Sequence, residues 1–136
     1  MTDHLRVPDS HRDLLNALTA VLATNGANGL PQVTAVGFLH DPEDDLIKIS
    51  LNDTRQKTKK LRRDPNTTFF VLDLDRPYRT LEIRAKAELT ADTDLAFATK
   101  AGAKYNADFT RQDQPGETRS IVVLHPMKIN VADMSA

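Results

Sequence analysis

From Thr80 to Thr90 the chain alternates without a break: Leu81, Ile83, Ala85, Ala87 and Leu89 are apolar, and Glu82, Arg84, Lys86 and Glu88 between them are charged. Successive side chains on a strand point to opposite faces, so this run is a long strand with one face inward and one in water. Such a strand needs partners, and the chain supplies them. Leu18 to Thr24 alternates in the same way, with Leu18, Ala20 and Leu22 set against Thr19 and Val21. Asn25-Gly-Ala-Asn-Gly29 then carries two Asn-Gly pairs, the strongest local signal for a hairpin turn. Pro31 to Leu39 is the return strand, with Val33, Ala35, Gly37 and Leu39 on one face and Gln32, Thr34, Val36 and Phe38 on the other. Asp41 to Asp45 is a turn and Leu46 to Leu51 a third strand.

The second half continues the pattern. Thr67 to Asp73 reads as a buried strand, Asp75-Arg-Pro-Tyr-Arg79 as a turn, and Ser120–Leu124 with Met127–Val131 as a last strand interrupted or bulged at His125-Pro126. A few short helices punctuate the strands. One covers residues 11–18 behind a cap at Asp9 or Ser10, with Leu14, Leu15 and Leu18 on one face. A second covers roughly 55–63, capped by Asn52, Asp53 or Thr54 and stopped by Asp64-Pro65. A third runs from a cap at Asp92 or Thr93 to Lys104, bearing Leu95, Ala96, Phe97 and Ala103, and residues 105–118 are a polar loop. The expected fold is α+β, mainly β: an antiparallel six-stranded barrel in a single domain over residues 1–136.

Composition removes several function classes. With no cysteine there is no disulfide framework, thiolate metal site or thiol nucleophile. No apolar run of about 18 residues exists and the N-terminus lacks a signal-peptide core, so the chain reads as cytoplasmic, with no membrane partner. A net charge of −1 gives no bulk attraction to nucleic acid, and two Tyr and five Phe are too few for a stacking surface. The four histidines are dispersed, the acidic 41–45 turn lacks calcium-loop spacing, and neither Ser50 nor Ser120 sits in a Gly-x-Ser-x-Gly elbow. The charges of the 80–90 strand read as an ion lattice on its exposed face. No catalytic acid, base or nucleophile is assignable, and no metal site.

One segment breaks the even distribution of charge. Arg55, Lys57, Lys59, Lys60, Arg62 and Arg63 place six cations within nine residues, and the rest of the chain sets 12 cations against 19 carboxylates. Cations in the first turn of a helix oppose its dipole unless an anion sits there too. Arg55 and Lys57 occupy that turn, after Ser50, Asn52 and Thr54, a grouping suited to holding a phosphate. A solvated basic helix that only aids solubility is the other reading, and the residues alone leave both open. Pro77-Tyr78-Arg79 offers a ring and a guanidinium at a turn, which can flank a flat ligand, although the turn itself explains Pro77.

Three strings together are similar to one family. Leu30-Pro-Gln-Val-Thr-Ala-Val-Gly-Phe38, the stretch from Ser50 to Pro65, and Arg76-Pro-Tyr-Arg-Thr-Leu-Glu-Ile-Arg-Ala-Lys-Ala-Glu88 cover about half the chain. In this order they resemble the pyridoxamine 5'-phosphate oxidase-like split β-barrels, in particular the actinobacterial branch that uses coenzyme F420. The resemblance implies a homodimer with two cofactor sites at the subunit interface. It places the cofactor phosphate on Arg55 and Lys57, helped by Ser50, Thr54 and Lys60. It lays Gln32, Val33 and Thr34 along the tricyclic ring and has Pro77, Tyr78 and Arg79 close the site, from the same chain or from its partner. Lys59, Arg62 and Arg63 are left to serve the polyglutamate tail of F420. The implied activity is hydride transfer from reduced F420 to an electron-poor small molecule, quinone-like or a tetrapyrrole such as biliverdin. An FMN-dependent oxidoreductase of the same fold, or a non-enzymatic protein binding a flavin or haem-like ligand, are the alternatives. The chain is shorter than the vitamin B6 oxidases and lacks a recognisable C-terminal substrate segment.

Overall fold

The alternating run forms β6 (Arg79–Ala91), between β5 (Asn66–Leu72) and β7 (Arg119–Asp133) in one antiparallel sheet. The computed structural model describes residues 4–134. The sheet also holds β1 (Ala20–Asn25), β2 (Pro31–Val36), β3 (Leu39–Asp41) and β4 (Leu46–Asn52), in the order β2-β1-β5-β6-β7-β4-β3. Its two edges, β2 and β3, are consecutive in the chain and joined only by Gly37 and Phe38. Two linking residues span about 10 Å at most. The sheet must therefore curl until its edges nearly meet, which makes it a split half-barrel.

The inward face is the expected one. Leu81, Ile83, Ala85 and Ala87 of β6 are buried and join Phe69 and Val71, Ile49, Val122 and Leu124 from the neighbouring strands in one core. Phe38 and Phe69 meet edge to face inside it, ring centres 4.9 Å apart. Each such fully buried side chain contributes roughly 1.5–3 kcal/mol of transfer free energy. On the outer face the lattice is real but crosses to β7: Glu82 accepts from Arg84 Nε at 3.2 Å and Asn130 Nδ2 at 2.7 Å, and Glu88 pairs with His125 at 2.8 Å. The register slips between Arg84↔Lys128 and Ala85↔Pro126, leaving Met127 as the extra residue of a bulge beside the proline.

Several local expectations differ. Among the described residues there are seven strands because the 31–39 run breaks: Phe38 turns its N–H out of any ladder and donates it to Tyr105 Oη at 2.8 Å. All of β2 but Val36 is exposed on both faces. The first helix is a 3-10 helix (Asp9–Asn16) that buries His11, Leu14 and Leu15 and stops before Leu18, which is 66% exposed. Helix α1 (Gln56–Arg63) has Arg55 as its N-cap and no side-chain cap. Asn52 instead folds the approach: its Oδ1 accepts from Thr54 N and Oγ1 at 2.8 and 2.7 Å, and its carbonyl accepts from Thr58 Oγ1 at 2.8 Å. Asp92 does cap α2 (Ala96–Lys104), accepting from Phe97 N at 3.2 Å and Ala98 N at 2.9 Å. That helix buries Ala98, Ala101 and Gly102, whereas Ala96 and Ala103 face water and Leu95 and Phe97 are half-buried. Among the described residues no helix is long and apolar enough to cross a membrane.

Candidate functional site

Strand β4 delivers Ser50 and Asn52 to the point where the chain turns into α1, and β7 runs alongside with Arg119 opposite Asn52. The β2–β3 crossing faces them. Between these parts lies a cleft of about 300 Å³, lined by Val36, Gly37, Ser50, Asn52, Arg55, Lys57, Phe109 and Arg119 among others. Ser50, Arg55 and Lys57, named from sequence, thus meet in one place.

The electrostatics of that place are unbalanced. The first turn of α1 holds no acid. Asp53, the nearest carboxylate in sequence, is taken by Arg62 at 2.9 Å, Ser120 at 2.6 Å and Thr118 at 2.5 Å. Neither Arg55 nor Lys57 has an ion pair among the described residues. Burial pulls the Lys57 ammonium below its ordinary range, and the neighbouring Arg55 charge pulls it further. A partly desolvated cation beside a second cation is costly unless an anion joins them. With the Ser50 hydroxyl at hand and the α1 N–H groups beneath, the group to fit is a phosphate or carboxylate.

The other expected residues distribute differently. Thr54 is exposed and bound to Asn52, and Lys60 is half-buried one turn along α1, outside the cleft lining. Gln32, Val33 and Thr34 lie on the exposed edge strand β2, just before the cleft-lining residues Ala35–Gly37. Pro77 and Tyr78 are exposed at the β5–β6 turn, away from this cleft. Arg79 beside them is buried and clamped: Nη1 donates to Asp73 at 2.9 Å and Asp13 at 3.0 Å, and Nη2 donates to Asp13 and to Ser10 O. The outer basic face is partly engaged, since Arg62 holds Asp53 and Ser120, and Arg63 donates to Asn25 O at 3.2 Å.

Sequence reading passed over Arg119, Phe109 and Gly37 as site residues. Arg119 reaches the cleft only through the β4–β7 register, and it stands one residue before the run read as the last strand, so no local signal marks it. A second, larger groove of about 470 Å³ opens between the 3-10 helix end, β1 and the β5–β6 turn, with Leu18, Val21, Leu72 and Leu74 exposed along it.

A family profile described as pyridoxamine 5'-phosphate oxidase matches residues 7–132. Among solved structures, one described as an F420 reductase is 31% identical, with a TM-score of 0.79, over 91% of this chain and 98% of that one. A conserved hypothetical protein from Mycobacterium tuberculosis is 24% identical with a TM-score of 0.75, over 96% of this chain and 87% of that one. HupZ of Group A Streptococcus is 18% identical with a TM-score of 0.69, over 96% of this chain and 97% of that one. The last two speak for the fold alone.

Proposed function

The chain belongs to the pyridoxamine 5'-phosphate oxidase family, and from that premise we propose that it is an F420-dependent reductase. The family supplies the coarser statement, a flavin-type oxidoreductase. The 31% identity to an F420 reductase favours the deazaflavin over FMN. The observation that carries the reading is the pair Arg55 and Lys57, two cations without an ion pair among the described residues, Lys57 partly buried, at the edge of the cleft.

In this reading Arg55 and Lys57 hold the cofactor phosphate, Ser50 donates its hydroxyl to it, and Thr54 and Lys60 support the arm beyond. When bound, reduced F420 supplies a hydride to an electron-poor acceptor, quinone-like or a tetrapyrrole such as biliverdin. The chain's own work is to bind, orient and exclude water. Gln32, Val33 and Thr34 lie along the ring from the β2 edge. From a second copy of the chain, Pro77 and Tyr78 close the site on a turn that Arg79 holds in place. A second copy of the chain completes the site: Leu30, just before β2, and Val33 within it are bare, 64% and 67% exposed, and the 470 Å³ groove beside β1 is mainly apolar.

The test is a titration of the purified protein with F420 and with FMN, followed by turnover assays of the preferred reduced cofactor with quinones and biliverdin. Tighter F420 binding with hydride transfer to at least one acceptor supports the proposal. Preference for FMN, or tight binding without turnover on any acceptor, overturns it.

A further inference from the structure

We propose that Arg119 is a third cation of the anion site and that Asp113 is its positioning residue; this rests on the phosphate reading of the cleft. The guanidinium is fixed as a fork. Its Nε donates to Asp113 Oδ2 at 2.7 Å and its Nη2 to Asp113 Oδ1 at 3.0 Å and to the Phe109 carbonyl. A bidentate carboxylate sets both the plane and the rotation of an arginine head group. The opposite edge therefore points one way only, and there Nη1 donates to Ser50 Oγ at 3.1 Å. These bonds use four of the five N–H groups of the side chain. The fifth, on Nη1, has no acceptor among the described residues and lies on the edge beside Ser50, which with Arg119 lines the cleft. Ser50, accepting from Arg119, keeps its own O–H to donate.

Asp113 is itself anchored. Asn52 donates to its Oδ1 at 2.9 Å and to Glu117 Oε1 at 3.1 Å, while its own Oδ1 holds the Thr54 N–H ahead of α1. One network thus ties the 105–118 loop, the end of β4 and the start of α1 around the cleft. Its charge count is informative. Arg55, Lys57 and Arg119 against Asp113 and Glu117 leave a surplus of one positive charge, so the complementary ligand group is an anion. A phosphodiester fits that count, and so does a singly ionised phosphate monoester.

The experiment measures dissociation constants for two pairs, FMN against riboflavin and F420 against the same deazaflavin lacking its phosphate arm. The proteins are the parent, Arg119→Gln, Arg119→Lys and Asp113→Asn, each checked for cooperative unfolding. The parent is expected to prefer the phosphate-bearing member of at least one pair. Arg119→Gln should shrink that preference roughly 10- to 100-fold and leave the phosphate-free affinity unchanged. Arg119→Lys should recover part of it, and Asp113→Asn should lose several-fold with the arginine still present. Should Arg119→Gln fail to fold, Asp113→Asn carries the same comparison. A parent with preference that Arg119→Gln keeps, or a variant that loses both members of a pair equally, overturns the role of Arg119 alone. A parent with no preference overturns the phosphate reading itself, and this inference with it.

Discussion

Tyr105 lies so close over Gly37 that a Cβ on the glycine would stand 3.1 Å from the ring's Cζ. The ring is held there by the backbone it covers: Phe38 N donates to Tyr105 Oη at 2.8 Å, and the hydroxyl donates back to Phe38 O at 3.2 Å. This contact fixes the crossing from β2 to β3, which forms one wall of the cleft. Gly37→Ala should therefore cost roughly 1–3 kcal/mol through overpacking, measured by urea denaturation. In a Tyr105→Ala background the same substitution should cost clearly less. An equal cost in both backgrounds would show that the tyrosine contact is not the cause.

Lys104, next to that tyrosine, donates to Ala17 O at 2.7 Å and Phe38 O at 2.8 Å with its ammonium 3.8 Å from the Phe38 ring centre. Burial lowers its pKa from 10.5 to about 8. Between those values the unfolded chain holds a proton that the folded chain has released, so stability should rise as pH climbs from about 8 toward 10.5. Comparing urea midpoints across that window isolates the effect: the parent should show the rise and Lys104→Met should lose it. Parallel pH profiles would rule Lys104 out as its source.

Arg79 ties the 3-10 helix to the β5–β6 turn through Asp13 and Asp73. Its own side chain is 10% exposed, but that of Asp13 is 63% exposed and rehydrates when the arginine is removed. Arg79→Ala should thus cost about 1–3 kcal/mol, less than breaking a fully buried pair, with the cofactor's phosphate-dependent affinity retained. Lost affinity at unchanged stability would instead place the guanidinium against the cofactor.

Lys57 exposes a conflict between stability and function. Its ammonium is disfavoured by burial and by Arg55 when no anion is present. Lys57→Met keeps the aliphatic stem and removes the charge. The ligand-free variant should melt at the same or a higher temperature than the parent, while cofactor affinity falls by roughly tenfold or more. A lower melting temperature without ligand would mean that the charge has a partner inside the protein.

Period-two alternation was enough to read β6, its inward face and the antiparallel class, because a strand pattern is local. That Ser50, Arg55 and Lys57 lie together was legible for the same reason: they are close in sequence and chemically conspicuous. The break at Gly37-Phe38 was not, since it is imposed by Tyr105, 67 residues further on. Arg119 was hidden by the same kind of distance, entering the site through its pairing with β4. The Leu18 face of the first helix failed because a 3-10 helix ending at Asn16 changes the angular spacing and stops short. Arg79, next to Pro77 and Tyr78 in sequence, points into an ion-pair clamp that only the folded 3-10 helix creates.

The central claim is that Arg55 and Lys57 form the phosphate site of a flavin-type cofactor, and their joint removal tests it most directly. In Arg55→Ala/Lys57→Ala each lost charged contact should cost roughly 1.5–3 kcal/mol, which is about a 10²- to 10⁴-fold weaker dissociation constant for F420. The affinity for the deazaflavin without its phosphate arm should stay near that of the parent. An unchanged F420 affinity in a folded double variant would contradict the account and place the phosphate elsewhere.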